Sequence, residues 1–303
     1  MSSTVNDSQS WNEDSRREAL AKFDNATAYS PAPEELEFLK TQTGIIDEVK
    51  LKAHVEDVQR RAYAVFPYVC VHRFAFTKPK IGRHFAYPRL LALPRSRSRA
   101  IFLEVGCCFG QDIRKAIADG YPAQDAIASD LRQGFWDIGL ELFAAAPSLP
   151  FVQADLLELD KEALVSTSVA EPPADLASLS SLTPLRGHVA VIYASAVFHL
   201  FDFDGQEALA RALASLLSIE PGSMIFGMHS GQTVKKVVTG LVGGSGIQHC
   251  HGPDSWRELW ESVFGEGAVK VESQVEGPPP GVISRVSGSG DKGYHLSWCV
   301  TRL

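Results

Sequence analysis

Apolar residues recur every three to four positions between residues 33 and 66, and after residue 100 they gather into short runs that are apolar nearly throughout. The first pattern is that of helices with one buried face, the second that of strands covered on both sides. The stretch "PEELEFLKTQTG" predicts a helix stopped at Gly44. "IDEVKLKAHVEDVQRRAYAVF" sets Val49, Leu51, Val55, Val58, Ala62 and Val65 at mostly helical spacing, and Pro67 marks the end. "FPYVCVHRFAF" is aromatic and irregular. "AIFLEV" (100–105), "AIASD" (126–130), "PFVQAD" (150–155) and "HVAVIYAS" (188–195) predict four strands, and "EPGSMIFGMHS" a turn into a fifth. Helices are expected from about Asp112 to Asp119, over "GFWDIGLELFAA", and over "DGQEALARALASLL", where Leu209, Leu213, Leu216 and Leu217 share one side. "DSWRELWESVF" adds a helix with Asp254 or Ser255 as its N-cap. Residues 160–186 read as a surface insertion, and "AVKVESQVEG" with "YHLSWCVTRL" as a closing antiparallel pair.

Strands alternating with helices make this an α/β chain. The expected organisation is a polar tail or lid segment at 1–30, a helical cap at 31–95, and a ligand-binding domain at 96–303. A formal net charge of -7 argues against a general nucleic-acid surface. No apolar run is long enough to cross a bilayer, and the N-terminus lacks the basic-then-apolar order of a secretory signal. Five cysteines, two of them adjacent, read as free thiols of a reducing cytoplasm. The expected partner is a small-molecule substrate, with no nucleic acid and no membrane, and a homodimer stays open.

"LEVGCCFGQD" joins the first strand to its helix through a tight turn. A dinucleotide fingerprint begun at Gly106 would need glycines at positions 108 and 111, where the chain has Cys108 and Gln111. The looser pattern of S-adenosylmethionine sites asks for an acid and then three glycines at alternate positions. Glu104, Gly106 and Gly110 meet it, with the small side chain of Cys108 in the middle place. Asp130, twenty residues after Gly110, ends the second strand, where a carboxylate can accept two ribose hydroxyls. Asp155 or its neighbour Ala154, at the end of the third strand, would meet an adenine amino group. Glu104 would reach a methionine ammonium. Leu131 and Ser195 complete the candidate cofactor set. A helix cap would explain any one of these acids, but three at successive strand ends outline one crevice.

The stretches "VQRRAYAVFPYVCVHRFAF", "LEVGCCFGQDIRKAIADGYP", "ASDLRQGFWDIGLELF", "ASAVFHLFDFDGQ" and "HGPDSW" resemble the fungal class I S-adenosylmethionine-dependent methyltransferases of secondary metabolism, over residues 40–301. The resemblance implies a Rossmann-like fold: a mostly parallel seven-stranded sheet with an antiparallel last strand and an N-terminal helical cap. It further implies S-adenosylmethionine as cofactor and an O-methyltransferase of a meroterpenoid or polyketide pathway. Relatives that methylate a carboxylic acid or a hydroxyl make both acceptors relevant, and carboxylate is the preferred expectation.

His199, in "SAVFHLFDFD" beyond the fourth strand, is the candidate catalytic residue, as a base for a hydroxyl or a donor to a carboxylate. A structural histidine bonded to a carbonyl is the plainer alternative. Between Val58 and Leu103 there are ten Lys or Arg and no acid. Arg89, Arg95, Arg97 and Arg99 read mostly as solvated, whereas Arg73 lies among aromatics and is the candidate to hold an anionic substrate. Tyr68, Phe76, His229 and His251 complete the candidate substrate contacts, against the alternative that such aromatics only pack the cap. Adjacent His249, Cys250 and His251 make a poor zinc site, so no metal is expected. The competing functions are a NAD-dependent oxidoreductase and a S-adenosylmethionine-binding protein without catalysis.

Overall fold

The computed structural model describes residues 29–162, 171–239, 247–277 and 293–303, so nearly all of the expected tail at 1–30 lies outside the described residues. Helix α1 (Pro33–Thr43) starts on a proline, whose missing N–H costs nothing at the first helical position, and ends where Gly44 takes φ 74°. Helix α2 (Glu48–Val65) is capped by Asp47, which accepts from the Val49 and Lys50 N–H groups. Leu51, Val55, Val58 and Ala62 are buried as predicted, but Val49 is 80% exposed. It precedes Leu51 by two residues, about 200° around the helix, and so faces away. A short helix α3 (Val69–His72), two 3₁₀ turns (Ala75–Thr77 and Ile81–Arg83) and α4 (Tyr87–Ala92) lead into the sheet.

The remaining elements are β1 (Ile101–Val105), α5 (Gln111–Ala118), β2 (Ala126–Asp130), α6 (Gln133–Leu142), β3 (Phe151–Gln153), α7 (Leu156–Glu162), β4 (Val189–Ala194), α8 (Phe203–Leu216), β5 (Met224–Gly231), β6 (Lys236–Thr239), β7 (Ile247–Cys250), α9 (Pro253–Phe264), β8 (Val269–Glu276) and β9 (Tyr294–Arg302). Seven strands form one sheet in the order β3-β2-β1-β4-β5-β9-β8. Neighbours from β3 to β5 pair in parallel, and β9 runs antiparallel to both β5 and β8. The expected mostly parallel sheet with its antiparallel last strand is therefore present. The hairpin of β6 and β7 was not foreseen, because "KVVT" and "IQHC" are too short to show a period. Helix α9 begins at Pro253 with Gly252 as its N-cap, not Asp254 or Ser255. Ser255 acts one turn later, its Oγ accepting the Gly252 N–H at 3.1 Å.

Two apolar layers cover the sheet. Leu209, Leu213, Trp256, Trp260 and Trp298 lie in one, and Ile81, Tyr87, Ile113, Trp136 and Phe226 in the other. A third cluster joins the cap to α6 through Phe66, Phe74, Phe76, Phe109, Phe135 and Phe143. Burying each such ring is worth about 1.5–3 kcal/mol. The exposed Arg61–Glu141 ion pair between α2 and α6 adds only about 0–1 kcal/mol, so ring packing holds the cap in place.

The basic approach to β1 is not simply solvated. Arg89 pairs with Glu272 of β8 at 2.7 Å, Arg97 donates to Ser223 Oγ and the Pro221 carbonyl, and Arg99 donates to the Pro173 and Ala174 carbonyls. The Arg97 and Arg99 guanidinium groups satisfy loop carbonyls, which their charge density alone could not reveal. Among the described residues, no helix is long and apolar enough to cross a membrane.

Candidate functional site

The connections leave the sheet in opposite directions from β1 and β4, and ligands of open α/β sheets bind at the carboxyl edge of such a switch point. The turn after β1 forms one wall. Gly106, Cys108 and Gly110 all take positive φ (62°, 53° and 71°), so the middle position needs the conformation that glycine adopts most easily. Cys108 adopts it with a small side chain, at a cost of about 1–2 kcal/mol. A Cβ on Gly110 would meet Trp136 Cζ3 at 2.6 Å. Trp136 therefore closes directly over the turn.

Asp130 clasps this turn. Its Oδ2 accepts the Cys108 N–H at 2.8 Å and its Oδ1 the Arg132 N–H at 2.8 Å. Each oxygen keeps a second lone pair free for a hydroxyl. Burial pushes the carboxyl above its ordinary range, and the N–H donors pull it back. Leu131 beside it is 43% exposed, an apolar face at the crevice. Ala154 is fixed by donating its N–H to the Asp130 carbonyl. Asp155 is exposed and spends Oδ1 on the Leu157 N–H, capping α7.

Glu104 is buried, and its Oε2 accepts the Ile113 N–H at 2.8 Å in the first turn of α5. Asp112 is buried beside it. Its Oδ1 accepts the main-chain N–H groups of Lys80 and Ile81 at 2.5 and 2.8 Å, and its Oδ2 the Gln111 amide. Burial, then the Asp112 charge, raises the Glu104 carboxyl well above its usual range. The helix N-terminus where a dinucleotide would place its pyrophosphate thus carries two carboxylates. That chemistry repels a pyrophosphate and welcomes an ammonium. Arg114, buried nearby, stacks on Trp136 and Phe143 with its guanidinium 4.9 and 5.4 Å from the ring centroids.

The loop after β4 forms the facing wall. Ala196 takes φ 58°, its N–H donates to the Met228 carbonyl at 2.7 Å, and Val197 is thereby pressed onto Gly106. Ser195 is half-buried, with Oγ 3.5 Å from the same carbonyl. His199 follows, half-buried, with Nδ1 buried and without a partner among the described residues. Burial, then the charges of Lys80 and His295, lowers its imidazole to about 4.

Two more histidines stand behind it. His229 of β5 is buried, and its Nδ1 accepts the Trp298 indole N–H at 2.9 Å. An indole nitrogen only donates, so the His229 proton sits on Nε2, which has no described partner. His251, a candidate substrate contact, is 3% exposed, packed against Phe203 and Trp256 with Nδ1 3.0 Å from Ser255 Oγ. Its place directly after the β6–β7 hairpin could not be read without the hairpin.

From the cap, Tyr68 is half-buried, near Phe66 and Phe135, with the Arg132 guanidinium 4.1 Å from the Phe66 ring and 5.9 Å from its own. Phe76 is buried and stacks on Phe109 at 4.5 Å, which makes it packing between cap and turn. Arg73 is exposed while Phe74 and Phe76 turn inward, so the expected aromatic enclosure of this cation is absent. Lys80, which the sequence did not single out, is a cation whose field enters the site. Its charge acts on Cys70 of α3, on Asp112, on His199 and on His295.

A family model of the meroterpenoid methyltransferase N-terminal domain matches residues 24–77, the segment that supplies much of the cap. The chain is 33% identical to the O-methyltransferase phiE of a fungal species, over 73% of this chain and 68% of that protein. It is 30% identical to the asnovolin E/chermesin D methyltransferase nvfJ of Aspergillus novofumigatus over 82% of each chain. It is also 30% identical to the methyltransferase ausD of Penicillium brasilianum over 78% of each.

Proposed function

The chain belongs to this family of fungal secondary-metabolite methyltransferases, and from that premise we propose that it uses S-adenosylmethionine to methylate a carboxylate oxygen of a small, largely apolar metabolite. The cofactor reading is carried by the carboxylates around the glycine turn. Glu104 and Asp112 fill the helix N-terminus with acid, and Asp130 keeps lone pairs for ribose hydroxyls. Leu131 offers an apolar surface to the adenine ring, and a methionine ammonium beside Glu104 would draw that raised carboxyl back to its charged form. A NAD site would need that helix end open to phosphate.

S-adenosylmethionine, when bound, supplies a methyl group on a sulfonium, transferable to an oxygen lone pair as the neutral thioether leaves. This chain's residues align the acceptor and exclude water; a base is required only where the acceptor is protonated. The basicity of His199 supports an acceptor that is already ionised. An imidazole lowered to about 4 is neutral at physiological pH but a weak base for a phenol of pKa ~10. A carboxylate needs no proton removed.

The test is incubation of the full chain with methyl-labelled S-adenosylmethionine and a panel of aromatic and terpenoid acids, each paired with its alcohol or phenol, read by mass spectrometry. Label in the esters supports the reading. Label confined to ethers overturns the acceptor, and label in neither class overturns the activity on these compounds.

A further inference from the structure

The fold uses residue 80 through its main chain. The Lys80 and Ile81 N–H groups are held by Asp112 Oδ1, and four residues on His84 Nε2 lies 3.1 Å from the Gly227 carbonyl of β5. The Ala86 N–H occupies His84 Nδ1, so Nε2 carries the proton and donates to that carbonyl. These two anchors draw the segment across the carboxyl edge of the sheet, from the start of α5 to the end of β4, beside which Gly227 lies. The Lys80 side chain is half-buried and makes no ion pair among the described residues. Asp112, the acid its charge reaches, already accepts three N–H donors, two at Oδ1 and one at Oδ2. On the other side of the same edge, His199 Nδ1 is buried without a partner.

A half-buried ammonium without an ion pair among the described residues, on the same sheet edge as a buried imidazole nitrogen without a partner, is a site for an anion with two acceptor oxygens. Resting on the carboxyl methylation proposed above, we infer that Lys80 Nζ and His199 together hold the acceptor carboxylate, Lys80 by charge and His199 by a neutral N–H. Arg73, exposed outside the aromatic packing, is not the anion-holding residue. The arrangement leaves the carboxylate charged, with an oxygen lone pair available for the methyl group. It also selects against a neutral acceptor, which would leave the ammonium unpaired.

Calorimetric titration of the full chain, saturated with S-adenosylhomocysteine, tests this with two probes. Orsellinate is an aromatic acid, and orcinol is the same ring without its carboxyl group. The wild type is expected to prefer orsellinate. Lys80→Met should weaken orsellinate by about 10- to 100-fold and leave orcinol and S-adenosylhomocysteine as they were, while Lys80→Arg recovers part of the loss. Because the fold holds residue 80 by its main chain, both variants should melt near the wild type. A readout without acceptor is the His199 imidazole by NMR, which should titrate at higher pH in Lys80→Met. Unchanged orsellinate affinity in Lys80→Met, or an unmoved His199 titration, overturns the Lys80 assignment alone. A wild type that holds S-adenosylhomocysteine but shows no preference for the acid overturns it together with the carboxylate reading. Failure of S-adenosylhomocysteine to bind the wild type removes the cofactor reading beneath both.

Discussion

The main-chain N–H of Cys108 donates to Asp130 Oδ2 at 2.8 Å, so the acid at the end of β2 is also the clasp of the turn after β1. Cofactor affinity and local stability therefore share one side chain. Asp130→Ala should lose roughly 1.5–3 kcal/mol of S-adenosylmethionine affinity, and about 1–3 kcal/mol of folding stability for the unpaired Cys108 and Arg132 N–H groups. Asp130→Asn keeps one acceptor oxygen and should lose mainly affinity. Calorimetric titration and thermal melting of both variants separate the roles. An alanine variant that melts with the wild type shows that the clasp contributes nothing to the fold.

The turn makes opposite predictions two residues apart. Gly110→Ala adds a Cβ 2.6 Å from Trp136 in a left-handed conformation, and should cost about 2 kcal/mol or more together with cofactor binding. Cys108→Gly relieves about 1–2 kcal/mol of conformational strain and gives back about 0.5–1 in chain entropy. Its stability should stay within about 1 kcal/mol of the wild type. Urea unfolding measures both, and a Cys108→Gly variant that unfolds much earlier would mean the thiol packs more than it strains.

The legible parts of this chain were those that repeat or stand at strand ends. The apolar runs of β1, β2 and β4 marked their strands because burial on both faces leaves no polar position to confuse the pattern. Asp130 was legible for its place after the second run. Asp112 and Lys80 were not, because their importance is a contact across 32 residues. One lysine among ten basic residues carries no mark until its neighbours are placed. Arg97 and Arg99 were misjudged for the same reason, since the carbonyls they serve lie 74 or more residues away.

His84 ties the cap segment to β5 in its neutral form. Burial is the main cause that lowers its imidazole from 6.5 to about 4. Above pH 6.5 it is neutral folded or unfolded, and its contribution is complete. As pH falls from 6.5 towards 4 the unfolded chain takes up a proton that the folded one refuses, and stability on the order of 3 kcal/mol is lost. His84→Gln removes this loss while keeping an amide donor for Gly227. The melting temperatures of wild type and variant should therefore converge as pH is lowered from 7 to 4. A gap that stays constant across that range would show that His84 protonates as readily folded as unfolded.

His199 decides between the two acceptor chemistries. Its imidazole, lowered to about 4 by burial and then by Lys80, is already neutral at pH 6, so raising the pH further gains it nothing as a base. For a carboxylate acceptor, His199→Gln retains an N–H donor and should lower kcat/KM by no more than about tenfold, mostly through KM. The profile of kcat/KM should then be flat from about pH 6 to 9, because neither the acid nor the imidazole titrates there. For a hydroxyl acceptor, loss of a base costs ~10²–10⁴ in rate and rising pH restores it as the acceptor ionises. A fall of that size in His199→Gln, recovering at high pH, would make His199 the base and the acceptor a hydroxyl. The depressed basicity of the half-buried ring, with an ammonium in its field, favours the flat profile.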